Sequence, residues 1–136
     1  MKFQEHGSFT VTVDGQIVLV SVSGPYNDEL ARKHARVVHP LFSELKKKGP
    51  WVEIVTLTGS ALFTPEAADV HRKGIRDAVD QGLTYAVLVI PPGIEGRDVA
   101  IYTLREIFEP HCRIKVFSKL ESALSFAREY LSSSSS

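Results

Sequence analysis

Three hydroxyls and a carboxylate, Thr58, Ser60, Thr64 and Glu66, follow directly on an apolar run, Trp51 to Leu57. Hydroxyls just before a helix accept from the free N–H groups of its first turn, and the same geometry can hold an anion. Their structural reading is turn and cap chemistry; their functional reading is a ligand or partner site that also includes Phe63. Arg97 follows the breaker Pro91-Pro92-Gly93 and Ile94. Its guanidinium could pair a carboxylate or phosphate, or could be an ordinary loop arginine. His34 and His39 are five apart, on different faces of a helix, and make a poor metal pair. His71 and His111 have no partner at ligand spacing. Cys112 has His111 beside it, but adjacent strand residues point to opposite faces. A nucleophile needs an adjacent base and a group to orient that base. No such set is legible, so neither catalytic nor metal-binding residues are expected, and no cofactor. A hydrolase or transferase using Ser60 or Cys112 is the weakest alternative.

Elements must bring these residues together. Trp51 to Leu57 is β-branched and carries one charge, Glu53, which suits a strand covered on both faces. Thr64 is placed to cap a helix with Pro65 at its first position, where the missing N–H costs nothing. Glu66 and Asp69 suit the positive end of that helix. Ala67, Val70, Ile75, Ala78 and Val79 form its inward stripe, with Gly74 read as a point of close approach, and Gly82 ends it. In a parallel α/β sheet, ligands bind where strand C-termini meet helix N-termini. That places Thr58 to Glu66 and Pro92 to Arg97 at one rim.

The rest of the chain supplies the frame. Ser8 to Val13 and Gln16 to Val22 alternate in polarity around Asp14-Gly15, a hairpin signal. Asn27 or Asp28 can cap a helix whose apolar face runs through Leu30, His34, Val38, Leu41, Phe42 and Leu45. Pro40 lies inside it, which predicts a kink or two pieces. Thr84 to Ile90 is a second buried strand. Asp98 can cap a helix to about Phe108, Cys112 to Phe117 is a short strand, and Leu120 to Leu131 is amphipathic. The order ββαβαβαβα predicts an α/β fold with a mixed, mostly parallel five-stranded sheet and about four helices. Residues 1–131 form a single domain, and the serines at 132–136 are expected to be a tail without fixed structure.

Composition narrows the function. Of 136 residues, 16 are Lys or Arg and 16 are Asp or Glu. A chain near zero net charge lacks the field that general nucleic-acid binding requires. One cysteine excludes an internal disulfide and fits a reducing, cytoplasmic setting. The N-terminus carries no long apolar stretch of the signal-peptide kind, and neither nucleotide-binding glycine motif is present.

The element order, together with TLTGSALFTPEAADVHRKGIRDAVDQG, resembles the STAS superfamily, the fold of anti-sigma-factor antagonists. Leu57, Gly59, Leu62 and Phe63 fall where that family's D-L-S-G-V-x-F-I-D-S-S-G-L pattern has Leu, Gly, Phe and Ile. The family's D-S-S-G falls on Thr64-Pro65-Glu66-Ala67, so both serines are replaced, and Glu66 occupies the phosphoserine neighbourhood. The chain is most similar to the SpoIIAA-like branch, itself similar in fold to the lipid-carrying CRAL-TRIO domains. The resemblance implies a non-enzymatic regulatory module of bacterial type that binds a protein partner through its strand–helix loops. Its alternative implication is a carrier or sensor of a small apolar or lipid-like ligand, with peripheral membrane contact. A homodimer is compatible with either.

Overall fold

The computed structural model describes residues 8–134. The first seven residues and Ser135 and Ser136, on which the readings of the N-terminus and part of the tail fall, lie outside them. The elements are β1 (Ser8–Asp14), β2 (Ile17–Ser23), α1 (Asp28–Val38), α2 (Phe42–Lys48), β3 (Trp51–Thr58), α3 (Pro65–Asp80), β4 (Leu83–Val89), α4 (Arg97–Phe108), β5 (Arg113–Phe117) and α5 (Leu120–Ser134). The expected α/β fold is observed. Five strands lie in the order β1-β2-β3-β4-β5. The β1–β2 pair is antiparallel, and β2 through β5 are parallel.

Several local readings shift for identifiable reasons. The first hairpin turns at Gly15-Gln16, one residue later than Asp14-Gly15, because Asp14 still pairs with Ile17. Gly15 alone takes positive φ, at 61°, as a turn with glycine at its first central position requires. Pro40 splits the second amphipathic stretch, as expected. A 3-10 turn at His39–Leu41 separates α1 from α2, so the two are pieces of one broken rod and the helix count stays near four. Asn27, rather than Asp28, caps α1, its side chain accepting from the Leu30 N–H at 2.9 Å. Asp98 does not cap α4. The cap is Gly96 at φ 79°, and Asp98 falls in the first turn. α5 continues to Ser134, three residues past the expected end at Leu131.

Each crossover from β2 to β5 advances one strand in the same direction. Right-handed connections of that kind put every intervening helix on one face. Thus α1, α3 and α4 pack side by side on one face, and α5 alone covers the other. Alternation along the strands feeds both layers. Val18, Val20, Val22, Trp51 and Leu88 point toward the three helices. Ile17, Val52, Ile54, Val87 and Val89 meet Ala123 and Ala127 of α5. Each fully buried aliphatic side chain adds roughly 1.5–3 kcal/mol relative to exposure. Among the described residues, no helix is long and apolar enough to cross a membrane.

Candidate functional site

The parallel strands end together, so the loops after β2, β3 and β4 gather at one rim. Gly24 N–H donates to the Thr58 carbonyl at 3.0 Å and Tyr26 N–H to the Leu62 carbonyl at 2.9 Å. Ala61 N–H donates to the Glu95 carbonyl at 2.8 Å. Any side chain at Gly24 would collide with the Ser60 carbonyl, which accounts for a glycine where two loops cross. Thr58 to Glu66 and Pro92 to Arg97 therefore do lie side by side.

Most of the polar groups at this rim are spent on the fold. Thr58 Oγ1 donates to the Val22 carbonyl at 3.3 Å. Ser60 Oγ donates to Glu95 Oε1 at 3.1 Å and accepts from Leu62 N–H at 3.2 Å. Thr64 Oγ1 caps α3, accepting from Ala67 N–H at 3.1 Å. Arg97 Nε donates to the Ile90 carbonyl at 3.0 Å. Ser60 is buried, Glu66 is exposed in the first turn of α3, and Phe63 and Ile94 are half-buried against the core. The expected hydroxyl cluster is a set of caps and loop ties.

Beside the rim, α3 and α4 splay to leave an open groove of about 300 Å³. Its floor contains the small buried residues Ala61, Ala68 and Ala100. Two apolar side chains open to solvent line it, Leu62 at 41 % and Val99 at 64 % exposure. Asp69, Arg72 and Glu106 line the same groove; Asp69 and Arg72 pair at 2.8 Å. Phe42 and Phe108 are buried, whereas Tyr102 of α4 projects into solvent.

Behind α3 lies a second feature, a polar cluster inside the helix-covered face. Tyr26 Oη and His34 Nδ1 share a hydrogen bond at 3.0 Å. His34 Nε2 is 3.6 Å from Glu53 Oε2, beyond a proper hydrogen bond. It has no hydrogen-bond partner among the described residues. The His71 ring stands edge-on to Tyr26 and His34, at 5.3 and 5.8 Å between centroids. Burial, with a smaller push from His34 and partial opposition from Glu53, lowers the His71 pKa to about 4. His71 is therefore neutral at pH 7. Burial and the nearby Glu53 carboxylate push the Tyr26 phenol well above its usual range. The same two causes, partly offset by a backbone hydrogen bond from Ala86, push the Cys112 thiol up to about 11.

Two cavities meet at this cluster, one of about 100 Å³ and one of about 40 Å³. Both are lined by His34, Glu53, His71 and Phe108. The sequence showed half of this arrangement: one charge in a buried strand and one histidine on an apolar helical face. Tyr26, after a loop proline, and His71, between Val70 and Arg72, carried no such signal. Among the described residues, no group of three or more His, Cys, Asp or Glu is arranged to hold a metal ion. No protein-family model matches the chain, and no curated protein matches it significantly.

Proposed function

We propose that the protein is a non-catalytic binding module that engages a protein partner through the groove between α3 and α4. The observation that carries this reading is the exposure of Leu62 and Val99, with half-buried Phe63, around a floor of buried alanines. Scattered apolar residues at a surface are ordinary, but a cluster beside a concave floor is characteristic of a docking surface. The small floor residues leave room for side chains from an apolar partner segment, in the manner of a helix laid in a groove. Glu106 is exposed there without an ion pair among the described residues, so a basic residue beside the apolar ones fits the rim. The likeness of Leu57 to Ala67 to the STAS pattern supports the same class of function by analogy.

Two alternatives have less support. A lipid-like cargo needs a pocket of roughly 300–1,000 Å³, and the larger cavity beside His34 and Glu53 is about 100 Å³. Catalysis at Ser60 would rest on Glu95 alone, with no third group to orient it, while the Ser60 oxygen already accepts from Leu62 N–H.

The test is affinity capture with purified protein, compared with Val99→Asp and Leu62→Asp. A partner held by the native protein and lost from both variants, at unchanged melting temperature, supports the groove. Equal capture by all three refutes it. Sedimentation velocity on the same samples shows whether the occupant is a second copy of the chain.

A further inference from the structure

The larger of the two cavities at the Tyr26–His34–Glu53 cluster has a chemistry of its own, separate from the α3–α4 groove. It lies between the sheet and helices α1 and α3, and about 100 Å³ of it is unfilled. The smaller cavity adjoins it across His34, Glu53 and His71. The larger one opens to solvent between α1 and α3, where the exposed residues Ala35, His39 and Gly74 stand at its mouth, and runs inward to the buried His34 and Glu53. An apolar cavity of ~150 Å³ is enough to take a benzene ring.

The polar groups facing this space are not satisfied by the protein. His34 is only 7 % exposed, yet its Nε2 lacks a hydrogen-bond partner among the described residues. Glu53 is 8 % exposed, and its nearest counter-charge is that same nitrogen at 3.6 Å. A buried carboxylate without firm hydrogen bonds is costly, and a ligand that supplies donors would relieve the cost.

The sign of the site is also set. Glu53 lies in the buried part, Asp77 at the mouth is already paired with His39 at 2.8 Å, and no lysine or arginine lines either cavity. His71 is neutral at pH 7, because burial lowers its pKa to about 4. Aromatic walls come from Phe42, Trp51 and Phe108. Carboxylate and aromatic faces together favour a cation over an anion or a neutral molecule.

We propose that this chamber binds a small organic ammonium ion, an amine head on an apolar skeleton of ~six non-hydrogen atoms. Its N–H groups donate to the Glu53 carboxylate and to His34 Nε2. The His34 proton then sits on Nδ1 and is donated to the Tyr26 oxygen, a role the 3.0 Å contact already permits. The skeleton lies against Phe42, Trp51 and Phe108.

The probes are butylammonium, 1-butanol and butyrate, which share a skeleton and differ in head charge. Binding is followed by amide chemical shifts in titrations of the full chain. Butylammonium is expected to saturate, with shifts centred on residues near Ala31, His34 and Gly74. Butanol should bind about tenfold more weakly or less, and butyrate not at all, as loss of a charge-assisted hydrogen bond requires. Glu53→Gln should weaken butylammonium about tenfold while reducing its preference over butanol. Gly74→Leu places a side chain at the cavity edge where a Cβ meets nothing within 4 Å. It should weaken all binding without lowering the melting temperature, which separates blockage from unfolding. Saturation by butyrate as strong as by butylammonium would overturn the proposal. So would no saturation by any of the three, which would mark the space as water-filled only. Undiminished binding to folded Glu53→Gln would overturn it as well.

Discussion

Glu53 and Ile54 are neighbours on β3 that face opposite sides of the same sheet. Around Ile54 the packing is apolar. Val52, Val87 and Val89 meet Ala123 and Ala127, and Tyr85, Phe117, Phe126 and Tyr130 close the layer with ring contacts at 5.0–6.2 Å. Around Glu53 stand two histidines, a tyrosine and unfilled space. Crossover handedness sends three helices to Glu53's side and leaves one for Ile54's. A single helix with alanines at its contact sits tightly on a sheet. Three helices, one of them broken at Pro40 and one carrying Gly74, leave gaps where they meet. The difference teaches that stability and recognition are divided between the faces, with the charge kept where packing is already incomplete.

If that division holds, the two neighbours respond differently to substitution, and this is the largest contrast expected. Ile54→Ala removes a fully buried side chain from the tight face and should cost about 2–5 kcal/mol. Glu53→Met should be near neutral or stabilising, since a loosely paired buried charge is replaced by a hydrophobe of similar volume. Denaturant melts of both variants measure this. A cost for Glu53→Met equal to that of Ile54→Ala would erase the distinction and make Glu53 a structural residue.

Cys112 probes the same side chemically. It is partly buried against the helix-rich core, and its thiol is pushed from 9.0 up to about 11. The nucleophile is the thiolate, so near pH 8 its population should fall about a hundredfold below that of a free thiol. Alkylation by iodoacetamide should be slowed by about that factor in the folded protein and restored in denaturant. Fast alkylation of the native chain would show that neither burial nor the Glu53 carboxylate holds the thiol up.

Regularly patterned features were legible in the sequence. Trp51 to Leu57 reads as a buried strand because residues on both faces are apolar, and Thr64-Pro65 marks a helix start because cap chemistry is local. Pro40 breaks its helix for a reason contained in one residue. The cluster was not legible, because it depends on meetings at long range. Glu53 was visible as a charge in a strand and His34 as a histidine on an apolar stripe, but only the parallel pairing of β2 with β3 brings Tyr26, His34 and Glu53 together. Tyr102 shows the same limit. It sits beside Ile101 in α4, and only the packing of that helix decides that Tyr102 is the exposed one. The hydroxyls of Thr58, Ser60 and Thr64 were placed at the right rim, yet their partners there are the loops themselves.

The histidines offer a smaller, pH-dependent contrast. His71 stays neutral in the fold until about pH 4, whereas in the unfolded chain it takes up a proton near 6.5. Between those values the unfolded state binds more protons, so stability falls as the pH drops from 6.5 toward 4. His34 and Glu53 face His71 from α1 and β3, and Tyr26 from the loop before α1. His71→Phe keeps a ring against Tyr26 but removes the proton site. The variant's melting temperature should therefore change less over that interval than the native protein's. Identical profiles would assign the acid sensitivity to other groups and leave the ring cluster a packing feature.

The smallest effect expected comes from Gly74, and its sign is the informative part. At a point of close helix approach, a methyl group there would clash and destabilise. The structure shows the reverse, since a Cβ at 74 meets no atom within 4 Å outside its own turn. Glycine inside a helix costs roughly 0.5–1 kcal/mol relative to alanine, mostly through backbone entropy in the unfolded chain. Gly74→Ala should therefore stabilise by about that amount in a denaturant melt, without an offsetting steric term. The same substitution at Gly24, where the Ser60 carbonyl is in the way, should destabilise. A stabilised Gly74→Ala beside a destabilised Gly24→Ala would place the close approach in the rim loops and the open space under α3. A destabilised Gly74→Ala would mean that α1 and α3 pack more closely in solution than this geometry allows, and that the chamber between them is correspondingly smaller.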